Sequence, residues 1–192
     1  MSTLSSVAVY CGSRTGQHPR YTEVALDVSD YLVDRQITLV NGGGSIGLMG
    51  VMADRVLARG GKAIGVIPLA LKDKEVAHTE MTELLVVPDM HARKLTIVNL
   101  SDAFIALPGG FGTLDELFET LTWSQLHLHH KPVGLLNVDG YFDPLLAMAD
   151  RMVNEGFVLP RARRLLLTAD NIAGLMQLLE EPVPHSSAAK WE

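Results

Sequence analysis

The sequence predicts an α/β protein, a parallel, doubly wound sheet flanked by helices in a single domain, and three observations carry that expectation. Short runs rich in Val, Ile and Leu alternate along the chain with longer amphipathic segments. The runs are apolar without strict alternation, as strands buried on both faces are. The segments between them have the length of crossover helices, roughly 10–15 residues, as in consecutive βαβ units. Right-handed crossovers then gather every strand-to-helix loop on one edge of the sheet, where such sheets bind ligands.

Each element follows from its own residues. Ser6–Cys11 (SVAVYC) reads as the first strand, and Tyr21–Arg35 as a helix with Val24, Ala25, Val28, Tyr31 and Leu32 at helical spacing. Ile37–Asn41 (ITLVN) is a second strand, followed by the glycine-rich GGGSIGLMG and a helix to about Ala58. Ala63–Ile67 is a third strand closed by Pro68, Leu84–Val87 a fourth and Ala103–Leu107 (AFIAL) a fifth. A helix runs from Asp89 through Leu100 and another from Thr113 to His127. Val133–Val138 (VGLLNV) supplies a sixth strand, and helices at Pro144–Glu155 and Ile172–Glu180 complete the series. The polar stretch from Lys72 to Glu83 reads as a lid or loop over the ligand edge. The domain is expected over residues 1–180, with 181–192 (EPVPHSSAAKWE) as a tail.

Composition narrows the functional classes. With 192 residues, 47% of them hydrophobic and 20% charged, the chain suits one ordinary globular domain. A net charge of −6 offers no basic field to hold a nucleic-acid polymer, so a small anionic substrate would need a local positive site. The single cysteine, Cys11, forms no intrachain disulfide and fits a reducing compartment. Neither a basic leader with a long apolar run nor a membrane-length apolar stretch is present, so the expectation is a cytoplasmic protein with no membrane partner.

Two glycine-rich loops stand at strand-to-helix junctions. In the first, Asn41-Gly42-Gly43-Gly44-Ser45-Ile46-Gly47, the glycines at 42, 44 and 47 satisfy G-x-G-x-x-G. A dinucleotide site also needs an acidic residue at the end of the next strand, and that strand ends Gly65-Val66-Ile67-Pro68. Two readings stay open: a tight turn with close helix–strand packing, or contact of Gly42, Gly43 and Gly44, together with Ser13, to a phosphate or ribose. The second loop, Pro108-Gly109-Gly110-Phe111-Gly112-Thr113, ends AFIAL and opens a helix. There the backbone N–H groups can converge on one anion, aided by the partial positive charge of the helix start. An acidic protein can hold a phosphate in this way without a basic patch.

Glu116 and the Arg93-Lys94 pair each have two local readings. Thr113-Leu114-Asp115-Glu116 matches the T-x-x-E capping box, with Thr113 as cap. Alternatively the Glu116 carboxylate faces a sugar beside the bound phosphate. Arg93 and Lys94, near a helix start, are either solvated on an exposed face or set against a compensating anion.

Taken together these segments resemble a known family. PGGFGTLDE at Pro108–Glu116 is similar to the P-G-G-x-G-T-x-x-E signature of the Lonely Guy family, the cytokinin riboside 5′-monophosphate phosphoribohydrolases. CGS at Cys11–Ser13, NGGGSIGLMG at Asn41–Gly50, AIGVIP at Ala63–Pro68, DMHARK at Asp89–Lys94 and TWSQLHLHHKPVGLLNVDGY at Thr122–Tyr141 extend the likeness, in order, over nearly the whole chain. The resemblance implies a Rossmann-like homodimer that uses water to release free base and ribose 5-phosphate from a nucleoside 5′-monophosphate, with no cofactor and no metal. It implies Arg93 and Glu116 as catalytic residues. It further implies Lys94, Gly109, Gly110, Phe111, Gly112, Thr113, Glu75 and Thr122 as substrate contacts. His78, Thr79 and Pro88 depart from the family's pattern and weaken the carry-over around Glu75.

Residue chemistry agrees with that implication. Glycosidic cleavage passes through an oxocarbenium-like state that a nearby carboxylate stabilises, and the same carboxylate can take a proton from water. Arginine stays charged near neutral pH, so Arg93 is read as orienting the phosphate or Glu116, or bonding the departing base. His127, His129 and His130 are not on one helical face and read as surface or subunit contacts rather than metal ligands. Cys11 reads as core or pocket wall. The rival from another class is a non-catalytic nucleotide or molybdenum-cofactor carrier, which would need neither Arg93 nor Glu116. A pyridoxal-dependent lysine decarboxylase would have to use Lys94 by default.

Overall fold

In the computed structural model, residues 4–72 and 77–181 are described. Glu75 and residues 182–192, which include nearly all of the expected tail, lie outside the described residues. Seven strands form one sheet: β1 (Ser6–Tyr10), β2 (Thr38–Asn41), β3 (Ala63–Pro68), β4 (Glu83–Val87), β5 (Ala103–Ala106), β6 (Val133–Leu136) and β7 (Leu166–Ala169). Their order is β4-β3-β2-β1-β5-β6-β7, and every pairing is parallel. The chain steps outward from β1 in one direction, returns at β5 and continues in the other. The crevice between β1 and β5 is therefore the topological switch point of a Rossmann-like sheet.

Seven helices complete the described fold: α1 (Pro19–Asp34), α2 (Gly47–Ala58), α3 (Met90–Leu100), α4 (Phe111–Gln125), α5 (Asp143–Asn154), α6 (Pro160–Arg163) and α7 (Ile172–Glu180). They cover the sheet on two sides because successive strand residues point to opposite faces. Val7, Val9 and Ile105 join Leu32, Met52 and Leu175 in one cluster, under α1, α2 and α7. Ala8, Tyr10 and Phe104 join Ile97, Leu117 and Phe142 in the other, under α3, α4 and the start of α5. Residues such as Leu39 and Leu135 are wholly buried, so truncation to Ala at either would cost about 2–5 kcal/mol.

Local chemistry sets several helix ends. The Asp89 carboxylate caps α3 by accepting the Ala92 N–H at 2.8 Å, which also offsets the unfavourable placing of Arg93 and Lys94 near a positive helix end. Asn171 caps α7 in the same way through the Gly174 N–H. Part of the expected lid is anchored instead of loose. Ala77 bridges to Gly44, and His78 donates its N–H to the Gly43 carbonyl while its ring meets Asp54.

Three elements differ from expectation. β7 and the single turn α6 were not anticipated: Leu166–Ala169 is a four-residue edge strand that follows the basic Arg161–Arg164 without a strong turn signal. Helix α4 starts at Phe111, not Thr113, with Gly110 as its N-cap. No helix among the described residues is long and apolar enough to cross a membrane.

Candidate active site

Where α4 begins, the backbone itself makes the first feature of the site. Thr113 is inside the first turn and Glu116 in the second, so the capping box read from T-x-x-E does not form. The reason is that the helix is entered through glycine two residues earlier. Gly110 carries no side chain to cap the helix, and the first turn closes with the Leu114 N–H on the Gly110 carbonyl at 3.2 Å. The N–H groups of Phe111, Gly112 and Thr113 are thus left without intrahelical acceptors. A Cβ built at Gly110 or Gly112 would meet no other atom within 4 Å, and neither residue has a positive φ. Nothing within the described chain demands glycine there; a ligand approaching the backbone would.

This helix start opens into a cavity of about 240 Å³. Arg93, Thr113, Asp115 and Glu116 contribute its polar wall, with Ser13, Gly110 and Gly112, while Cys11, Met49, Leu71, Met90 and Phe111 add apolar surface. It sits at the switch point, since the β1 loop and the β5 loop are tied together by the Gly12 N–H on the Pro108 carbonyl at 3.2 Å. Phe111 is 95% exposed at the helix start.

Arg93 is 5% exposed, which removes the solvated-face reading of the Arg-Lys pair. Its Nη2 donates to the Gly42 carbonyl at 2.9 Å. A Cβ at Gly42 would fall 1.9 Å from that nitrogen, so glycine here makes room for the guanidinium. Gly42, Gly43 and Gly44 are buried and are not among the residues lining the cavity. Gly43 has φ of 77°, and the Asn41 side chain accepts its N–H at 2.8 Å.

Lys94 turns from Arg93 toward α4 and pairs with Asp115 at 2.9 Å and Glu119 at 3.2 Å. Desolvation works to lower the Lys94 ammonium, but the two carboxylates outweigh it and hold its pKa above the ordinary lysine value. Neither Lys94 nor the exposed Thr122 lines the cavity. For Cys11, burial and then the charge of Glu116 push the thiol well above its usual range, so it stays protonated. His129 is buried with its Nε2 on the Thr120 carbonyl, while the rings of exposed His127 and His130 lie 5.9 Å apart, tilted by 42°.

The site has members that sequence reasoning missed. Leu71, Met49 and Asp115 line the cavity, and Tyr141 donates its hydroxyl to the Gly109 carbonyl at 2.6 Å. Only Tyr141 had a signal, an aromatic at the carboxyl end of a strand beside the second glycine loop.

A doubly wound sheet with an uncapped helix start, an arginine and a glutamate at its switch point defines a Rossmann-like protein with a cleft at that point. The family model described as "Possible lysine decarboxylase" matches residues 49–179. A cytokinin riboside 5′-monophosphate phosphoribohydrolase of Arabidopsis thaliana is 48% identical over 183 residues, covering 95% of this chain and 84% of the relative. A second from the same plant is 47% identical over 195 residues, covering all of this chain and 86% of the relative. The chain belongs to this Lonely Guy family. Among solved structures it is similar to the molybdenum cofactor binding protein of Rippkaea orientalis, with TM-score 0.68 and 22% identity over 91% of this chain and 94% of that one. The Moco carrier protein of Chlamydomonas reinhardtii gives 0.66 and 19%, over 91% and 94%. Those two likenesses concern the fold alone.

Proposed function

We propose that the protein is a nucleoside 5′-monophosphate phosphoribohydrolase, which hydrolyses the N-glycosidic bond of cytokinin riboside 5′-monophosphates, and of AMP, to free base and ribose 5-phosphate. The observation that carries the reading is one cavity wall joining the uncapped start of α4 to Glu116 and Arg93. Relatives of this identity bear that activity in their names.

The 5′-phosphate sits on the N–H groups of Phe111, Gly112 and Thr113, where the helix end supplies positive charge that the chain's net charge does not. At about 240 Å³ the cavity is smaller than the roughly 300–1,000 Å³ of drug-sized sites, so it suits the sugar phosphate, with the base toward its mouth beside Phe111. Glu116 faces the ribose. Its carboxylate stabilises the positive charge that develops as the bond from C1′ to the base nitrogen breaks, and it accepts a proton from the water that adds to C1′. The bonding pair leaves with the base, which takes up a proton. Arg93, fixed on Gly42, holds the phosphoribosyl group against that carboxylate. Lys94 and Thr122 would meet substrate from outside this cavity, and Glu75 is assigned on resemblance alone.

Two rivals fit less well. A carrier has no need of a buried arginine and a glutamate at one cleft. A lysine decarboxylase needs an unprotonated amine for a Schiff base, and Lys94 is held protonated by two carboxylates. We further infer a cytoplasmic homodimer. The α3–α4 face leaves Leu95, Phe118 and Leu128 exposed beside a groove of about 510 Å³ that includes Trp123, the kind of surface a second copy covers. Sedimentation of the protein at twice the chain mass supports this; a monomer at micromolar concentration contradicts it. Base release from AMP and an N6-isopentenyl AMP, followed by chromatography, tests the activity itself.

A further inference from the structure

The carbonyl groups just before the phosphate loop have to point somewhere, and a carbonyl oxygen aimed at the anion would repel it. Both are committed elsewhere. Pro108 gives its carbonyl to the Gly12 N–H from the β1 side, and Gly109 accepts the Tyr141 hydroxyl at 2.6 Å from the β6 side. Because β5 lies between β1 and β6, the loop is gripped from both neighbours.

Tyr141 is itself held for this task. The turn after β6 reverses through Asp139 and Gly140, with φ of 48° and 73°, left-handed values that aim the next side chain back toward the β5 loop. Asn137 secures the turn by accepting the Phe142 N–H at 2.8 Å and donating to Asp143 at 2.7 Å. The Tyr141 ring sits edge-on to Tyr21, at 5.7 Å between centroids, and to Phe142, at 5.0 Å. It is not among the residues lining the cavity, and its hydroxyl on the Gly109 carbonyl is the bond that ties it to the phosphate loop.

We propose that Tyr141 is a positioning residue for phosphate recognition: it holds the Gly109 carbonyl away from the anion, so that the following N–H groups face it. The proposal deepens the phosphoribohydrolase reading and rests on it for its kinetic form. Its size is that of one neutral hydrogen bond expressed in binding, about a fivefold effect.

The test uses the full chain, with Tyr141→Phe and Tyr141→Leu. For Tyr141→Phe, which keeps the ring on Tyr21 and Phe142, we expect KM for AMP and the inhibition constant of ribose 5-phosphate to rise together by about fivefold. The turnover number and melting temperature stay near those of the parent. Tyr141→Leu melts earlier, yet raises KM by the same factor. Unchanged KM and inhibition constant in Tyr141→Phe overturn the proposal, as does a loss of turnover at constant KM. Calorimetric titration with ribose 5-phosphate separates the two readings. If the parent releases no base, the enzyme reading fails, while weaker ribose 5-phosphate binding by Tyr141→Phe still supports the role of Tyr141 and equal binding still refutes it.

Discussion

The guanidinium of Arg93 donates to the carbonyl of Gly42 at 2.9 Å across 51 residues of sequence, and the space it occupies is space that a side chain at Gly42 would take. The first glycine loop and α3 are thereby built around each other, and the loop's contribution to the site is to seat an arginine.

Two glycine substitutions separate scaffold from binding surface. In Gly42→Ala the new methyl overlaps Arg93, so we expect a loss of about 1–3 kcal/mol in stability and, from the displaced guanidinium, about a hundredfold in kcat/KM. In Gly110→Ala the methyl meets no protein atom, so the melting temperature holds while KM for the nucleoside monophosphate rises. Thermal melts with steady-state kinetics on both variants check the contrast.

Cys11 lines the cavity beside Glu116 yet is expected to be dispensable for chemistry. Burial and the neighbouring carboxylate keep the thiol protonated, and a protonated thiol is a poor nucleophile. Cys11→Ala should retain turnover, and iodoacetamide should modify the native protein slowly at neutral pH. Loss of activity in Cys11→Ala without loss of folding would assign the thiol a role that this geometry does not give it.

Asp102 gives the fold an acid-sensitive element. Its Oδ2 accepts the N–H groups of Ser5 and Ser6 at 2.9 and 3.0 Å and their hydroxyls at 2.6 and 3.1 Å. Burial raises the carboxyl pKa, but these hydrogen bonds outweigh it and hold it below the usual value. A folded pKa below the unfolded one means stability that is present above the unfolded value, about 3.9, and lost as pH falls through the folded one. Asp102→Asn should melt roughly 3–6 °C earlier at pH 7, with the gap closing below about pH 4.

Much of the fold was legible because strand burial on both faces writes itself into the sequence as apolar runs such as AFIAL, and crossover helices as amphipathic segments between them. β7 was not, since a four-residue edge strand with only Leu166 fully buried carries little periodicity. The site was legible in part. Spacing alone suggested a capping box at Thr113, because T-x-x-E reports local geometry and cannot register that Gly110 has already opened the helix. The burial of Arg93 was invisible for a related reason: it depends on a glycine 51 residues away that only the fold brings near. Tyr141 reaches Gly109 across 32 residues, through a turn that the dipeptide Asp139-Gly140 announces but whose aim toward the β5 loop only the fold sets.

The most direct test is free base released from AMP and from N6-isopentenyl AMP by the parent, Glu116→Gln and Arg93→Ala, with ribose 5-phosphate binding measured on each. We expect the parent to release base and ribose 5-phosphate in equal amounts. Glu116→Gln should lose about a hundredfold or more in turnover while still binding ribose 5-phosphate, and Arg93→Ala should lose both. Tight binding of both nucleotides by the parent with no base released, or undiminished turnover in Glu116→Gln, would contradict the assignment and favour a carrier.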